Sequence, residues 1–337
     1  GATRSHRSSG TRSADTQQIL SRPHPTAKPH NELHSETISY WEGRYTELGA
    51  LLGALLPEAR ARYDAAGTGD KEAAAGVLAD VFQTAGMAAN VWGSRDLAYA
   101  ALTYGRQIAV QAGDDLRDAH LATTAWVNLR DGRTAQSYAL AVAQADRIEP
   151  KMSEHDPDRL SVYGQLVTNA AVAASRGGAS PDTAHEYLSQ AHAVGARLGT
   201  EHARGQHAQP YGPLYAATQA MSIAVALGDT GGALKLMDTV RLDDTVPLAT
   251  RARYGLDVAL THVECRRWEQ AASTLEAVCA MAPGWVRHQM LPGVIISRLA
   301  HSGRRSRGFK SRHPEVKYQG TGRFGSRGEP APEARSA

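Results

Sequence analysis

The chain has 337 residues, 42% of them apolar but only 6% aromatic, and a formal net charge of +3. Such a composition builds a core from Ala, Leu and Val, and its two cysteines, Cys265 and Cys279, exclude a disulfide framework or a metal cage made of thiols alone. No apolar run approaches the ~18 residues that cross a bilayer and no apolar signal segment opens the chain, so a soluble, cytoplasmic protein in a reducing compartment is expected.

The charge is unevenly distributed. Residues 1–35 carry five Arg or Lys against two acidic residues, a balance of +3, and residues 302–337 carry nine against three, a balance of +6. The body between them is therefore −6. An acidic body repels phosphate, so no direct DNA binding is expected from it. Both ends lack apolar periodicity and read as disordered basic segments, leaving 36–301 as the folded domain. Within the tail, Gly308 to Pro314 matches the translation of a tRNA TΨC arm, which points to read-through beyond a gene end.

In chain order, Tyr40, Trp41, Tyr45, Leu48, Leu51, Leu52, Leu55 and Leu56 have helical spacing and predict the first helix of the body, starting near Ser35. Residues 70–112 predict a helical hairpin broken at Trp92-Gly93-Ser94, with Leu97, Ala98, Ala101 and Leu102 among its inner positions. Gly86 and Gly105 each cost a helix ~1 kcal/mol relative to Ala, so close helix contact is the expected reason for them. Leu116 to Leu129 and Ala135 to Ile148 form the next pair, turning at Arg130 to Arg133 and ending at Pro150. A further hairpin runs from Asp156 to Leu198 with a break at Arg176-Gly177-Gly178, after which Ser180-Pro181 supplies a cap and a first-turn proline. The polar stretch 199–211 is the longest break inside the body and is expected to be functional.

The hairpin from Gly212 to Val240 is the clearest unit. Ala216, Ala220, Ile223, Ala224 and Leu227 give its first helix a small-residue face, Gly228 suits a left-handed helix end, and Asp229 suits a cap. Residues 247–266 and 268–281 form another pair ended by Pro283. Val286 to Leu299 reads as a capping helix interrupted at Pro292-Gly293. A hairpin of this kind cannot bury its apolar face alone, which predicts an all-α, right-handed array of stacked hairpins.

The pattern resembles a degenerate tetratricopeptide repeat (TPR). In the unit ending at Pro283, Ala259 lies in the first helix, Trp268 follows the turn, and Ala271, Leu275 and Val278 line the second helix. Ala98, Ala184 and Ala233 hold the equivalent place elsewhere, with Ser137 substituting in the third unit. The segment from Tyr40 to Leu52, the end Asp146-Arg147-Ile148-Glu149-Pro150, and Gly212-Pro213 before an Ala-rich helix together resemble the C-terminal domain of XRE-type helix-turn-helix transcriptional regulators, over about residues 37–299. In that family a short N-terminal domain reads an operator, and the TPR domain senses a ligand or partner and dimerises. The resemblance implies the sensing half of a regulator without its own helix-turn-helix, since residues 1–35 cannot supply those helices.

No enzyme is expected: there is no Gly-Lys-Ser/Thr phosphate loop, no dinucleotide fingerprint and no His-Glu-x-x-His. No cofactor or metal is expected either, because His202 and His207 lack a carboxylate pair or thiol nearby in sequence. His262 reads as a core or interface histidine, and Asp114-Asp115 and Asp243-Asp244 as helix-start or loop charges. The first helices of a curved array line its inner face, which makes Asp80, Gln83, Asn90, Asn128, Asn169, Gln219 and Ser222 the candidate concave-face binding residues. The expected partners are a peptide, small-molecule or protein ligand in that face. A homodimer would use Trp41, Tyr45 or Trp285 exposed at the ends of the array. The alternative is a scaffold that assembles with itself or with another protein.

Overall fold

The computed structural model describes residues 39–113, 123–203 and 210–301. Among them the regular structure is helical: α1 (Tyr45–Ala65), α2 (Lys71–Val91), α3 (Arg95–Gln111), α4 (Thr124–Arg130), α5 (Thr134–Ile148), α6 (Pro157–Ala173), α7 (Pro181–Leu198), α8 (Pro213–Leu227), α9 (Thr230–Thr239), α10 (Leu248–Glu264), α11 (Trp268–Met281), α12 (Pro283–Val286) and α13 (Leu291–His301). A π-helical turn, Ala174–Gly178, joins α6 to the break before α7. The expected disordered ends and Asp114-Asp115 lie outside the described residues.

One turn, found five times among the described residues, organises the chain. At Gly43, Gly93, Gly132, Gly228 and Arg266 the backbone enters the left-handed region. The following amide then closes onto the carbonyl five residues back: Arg44 onto Ser39, Ser94 onto Ala89, Arg133 onto Asn128, Asp229 onto Ala224, and Arg267 onto His262, all at 2.8–2.9 Å. This closure satisfies carbonyls that a helix end leaves free and reverses the chain into an antiparallel partner. Glycine accepts the conformation without a Cβ penalty, whereas Arg266, at φ 57°, does not. Asp229 and Ser180 cap the following helices through Gly232 N (2.8 Å) and Thr183 N (3.1 Å), as their positions predicted.

The hairpins α2/α3, α4/α5, α6/α7, α8/α9 and α10/α11 pack on their neighbours through α3 on α4, α5 on α6, α7 on α8 and α8 on α10. Small residues set the spacing. A Cβ on Gly86 would lie 2.6 Å from Leu102 Cγ, and one on Gly105 would lie 3.0 Å from Phe82 Cβ, so both glycines mark close crossings. Ala98, Ala184, Ala233, Ala259, Ala271 and Leu275 are all buried. Ser137 also fits, because its hydroxyl donates to the Ala125 carbonyl at 2.6 Å.

Three local expectations change. Tyr40 and Tyr45 are not on one helix, because Gly43 breaks the chain between them. Leu97 is 60% exposed, so it is not an inner position of α3. Pro292 does not interrupt a helix; it sits in the first turn of α13, where a missing N–H costs nothing, and the break falls at residues 287–290. Pro283 likewise opens the short α12.

The two ends of the domain meet. Trp285 packs where a Gly43 side chain would lie, with its Cβ 2.8 Å from that position. A Cβ on Gly284 would approach the Gly43 carbonyl to 2.6 Å, so the two glycines are in backbone contact. The Tyr45 and His288 rings sit edge to face at 5.0 Å. One apolar cluster accordingly runs from Tyr40, Tyr45 and Leu48 through Leu78 and Leu256 to Trp285 and Ile295. Tyr45 (6% exposed) and Trp285 (7%) are thus consumed internally and Trp41 is half-buried. They do not form the exposed end surface that a dimer through those residues requires.

Candidate functional site

The first helices of the hairpins converge on a cavity of about 210 Å³. Its wall takes Gln83 from α2, Trp126 from α4, Asn169 from α6, Gln219 from α8 and Thr250 from α10, while Tyr40, Trp41, Trp285 and Gln289 come from the closed ends. Of the seven residues expected on a concave face, Gln83, Asn169, Gln219 and Ser222 line it, and Asp80, Asn90 and Asn128 do not. Asn128 turns toward α3, where its Oδ1 accepts from the Tyr99 hydroxyl at 2.7 Å. Asn90 is buried near the end of α2 with its Nδ2 unpartnered, and Asp80 is half-buried one helical turn before Gln83.

Three arginines that no sequence signal singled out dominate the cavity. Arg253, on α10, makes a two-point contact with Asp257 (Nε to Oδ2 and a terminal nitrogen to Oδ1, both 3.1 Å), and Asp257 is 1% exposed. The same terminal nitrogen donates to Ser222 Oγ at 3.1 Å. Arg176, at the kink that follows α6, donates to that oxygen at 3.2 Å. Arg130, at the end of α4, reaches Gln289 Oε1 at 3.4 Å and lies 5.3 Å from the Trp126 ring.

Charge is unbalanced there. Asp257 is hydrogen-bonded to Arg253, whereas among the described residues the hydrogen-bond acceptors of Arg176 and Arg130 are neutral, with the Asp257 charge acting on Arg176 from behind Arg253. Burial, reinforced by the charges of Arg253 and Arg130, pushes the Arg176 guanidinium down to about 10. Burial also lowers Arg130. The nearby phenols of Tyr40 and Tyr45 provide no counter-charge, because burial raises both and keeps them protonated. Trp41 adds another donor, its indole N–H buried without an acceptor. The net acidity of the body hides this local excess of cations and donors.

The long break around residues 199–211 has a structural role in its described part. His202 and Tyr211 exchange backbone hydrogen bonds at 2.9 and 2.8 Å, and Tyr211 is fully buried with its hydroxyl donating to the Ala191 carbonyl at 2.7 Å. Glu201 Oε1 accepts from the amides of Leu214 (2.8 Å) and Tyr215 (3.4 Å), so the loop caps α8 from outside the helix. His202 pairs with Asp158 Oδ1 at 2.8 Å, and His207 lies outside the described residues. Burial, and then the charge of Arg267, lowers the pKa of half-buried His262 on α10. Among the described residues no group of three His, Cys, Asp or Glu could hold a metal, and no helix is long and apolar enough to cross a membrane.

No protein-family model matches the chain, and no curated protein matches it significantly. The cavity is therefore read from its own chemistry.

Proposed function

We propose that the chain is a ligand-sensing, TPR-like helical-repeat domain of a transcriptional regulator. The observation that carries the sensing half is the cavity itself: five hairpins supply its wall and the closed ends of the domain complete it, so an occupant would touch most of the array at once. Such a site converts occupancy into the relative placement of hairpins, which is what a sensor needs. The regulatory half rests on the resemblance to XRE-type regulators over residues 37–299. In that role the domain senses the ligand and has no enzymatic step.

The test is recovery of the occupant. Chain purified from its native host under non-denaturing conditions is denatured, and the released small molecules are identified by mass spectrometry. An Asn169→Trp variant, with the cavity filled, is the comparison. A compound released in stoichiometric amount by the wild type and absent from the variant supports sensing. An empty wild type that still alters transcription when deleted from the host would sink it.

A second reading, a partner-binding scaffold, is favoured by one feature. Leu97 (60% exposed) and Tyr104 (57%) lie seven residues apart on one face of α3 and present an apolar outer surface. Leu97→Asp abolishing partner capture while ligand recovery is unchanged would favour it.

A further inference from the structure

The sensing reading leaves the occupant's chemistry open, and the cavity constrains it. We infer that the site takes a small organic oxyanion, a carboxylate or phosphate, carried on an aromatic or branched apolar body; this rests on the cavity being a ligand site.

Charge gives the first constraint. Arg176 and Arg130 are half-buried, and a guanidinium drawn out of water without a counter-ion carries a cost that a ligand supplying the missing charge would offset. Arg176 is held by a hydroxyl that it shares with Arg253, and Arg130 by a single long contact to an amide oxygen. Among the described residues Asp257 is the carboxylate beside them; its charge reaches Arg176, but both of its oxygens are bonded to Arg253. A planar guanidinium presents paired donors that match two oxygens of a carboxylate or phosphate. The unpartnered Trp41 N–H adds a further donor, and a cationic ligand would meet three like charges.

Size and wall supply the second constraint. A cavity of about 150 Å³ holds benzene, so 210 Å³ admits a ring or branched chain with one charged group and excludes a long folded peptide. The remaining wall is mixed: Met87, Trp126, Leu166, Val172, Tyr215 and Trp285 supply an apolar and aromatic part beside neutral amides and hydroxyls such as Gln83, Asn169, Gln219 and Thr250. Inorganic phosphate alone would leave that surface uncovered. The two halves together select an amphipathic anion over a bare one.

The experiment is isothermal titration of the full 337-residue chain at low ionic strength with four probes: 3-phenylpropionate, phenyl phosphate, neutral 3-phenylpropan-1-ol and inorganic phosphate. The expected result is binding of the two aromatic anions about tenfold or more tighter than the alcohol or inorganic phosphate. Their ratio tells carboxylate from phosphate as the preferred head group. Arg176→Gln and Arg130→Gln should each lose about tenfold for the anions and little for the alcohol, with Arg106→Gln on the exposed face of α3 as the control. Thermal melts identify any variant that fails to fold, and two independent arginines keep the test open if one does. Equal binding of the alcohol, an equal loss in the Arg106→Gln control, or no binding of either aromatic anion would overturn the oxyanion assignment. The ligand-site reading would survive any of these if a neutral or cationic compound were recovered from the native protein. Inorganic phosphate binding as tightly as phenyl phosphate would overturn the apolar half alone.

Discussion

Arg176 and Arg253 donate to the same oxygen, Ser222 Oγ, at 3.2 and 3.1 Å. Two like charges therefore meet on one neutral acceptor, and a single carboxylate, Asp257, stands behind one of them. Removing that carboxylate leaves three guanidiniums without a counter-charge in one cavity. Asp257→Ala is expected to destabilise the fold by about 2 kcal/mol, less than the breaking of a fully buried pair because the Arg253 side chain keeps 36% exposure. Urea denaturation at neutral pH checks it.

The opposite sign is expected at Arg176. Its pKa, lowered to about 10 by burial, means that the folded state disfavours the charged form. Arg176→Gln keeps a donor for Ser222 and removes the charge, so stability should rise by about 1 kcal/mol. A higher urea midpoint together with weaker anion binding would identify the arginine as a group kept for function. A lower midpoint would show that its stem is needed for packing.

Gly164 leaves room for the Tyr211 ring. A Cβ there would overlap that ring, and Tyr211 is fully buried between α6 and α7. Gly164→Ala should cost about 2 kcal/mol through forced displacement of the ring. Tyr211→Phe should cost about 1 kcal/mol, because the hydroxyl's bond to the Ala191 carbonyl is lost. Both are read by chemical denaturation, and the larger effect is expected from the alanine.

Glu201 sets a pH dependence. Burial raises its pKa, assisted by Asp243, while the amides of Leu214 and Tyr215 pull it partly back. A carboxyl whose folded pKa exceeds its unfolded value of 4.5 stabilises fully below that value, and this contribution is lost as the pH rises through the folded pKa. The difference in stability between wild type and Glu201→Gln should therefore shift against the wild type as the pH rises from below 4.5 through the folded pKa. Urea midpoints collected across that range for both proteins provide the measurement.

Closure of the domain depends on Gly43. Gly43→Ala meets both a φ of 71° and the Trp285 Cβ, so it should cost about 2 kcal/mol or more. Because Tyr40, Trp41 and Trp285 wall the cavity, the same change should weaken ligand binding even under conditions where the protein remains folded. Parallel titration and thermal melting separate the two effects.

Sequence alone determined the hairpins. Helix periodicity, the glycine at every reversal but the one at Arg266, Asp229 and Ser180 as caps, and alanine at the crossings all act within a few residues, so their effects are legible locally. Four of the seven concave-face residues were legible for the same reason: Gln83, Asn169, Gln219 and Ser222 sit on the inner stripe of a first helix. The cationic centre was not. Arg130, Arg176 and Arg253 look like ordinary surface arginines in three separate helices or turns, and Arg176 reaches Ser222 from the kink that follows α6, where helical periodicity no longer applies. Asn128 shows the converse, a plausible inner-face residue drawn away by Tyr99 on a neighbouring helix. The meeting of Gly43 with Gly284 was likewise invisible, because contact between the ends is set by the summed rotation of every hairpin between them. Local chemistry chose the elements; their accumulated geometry decided which charges share a cavity.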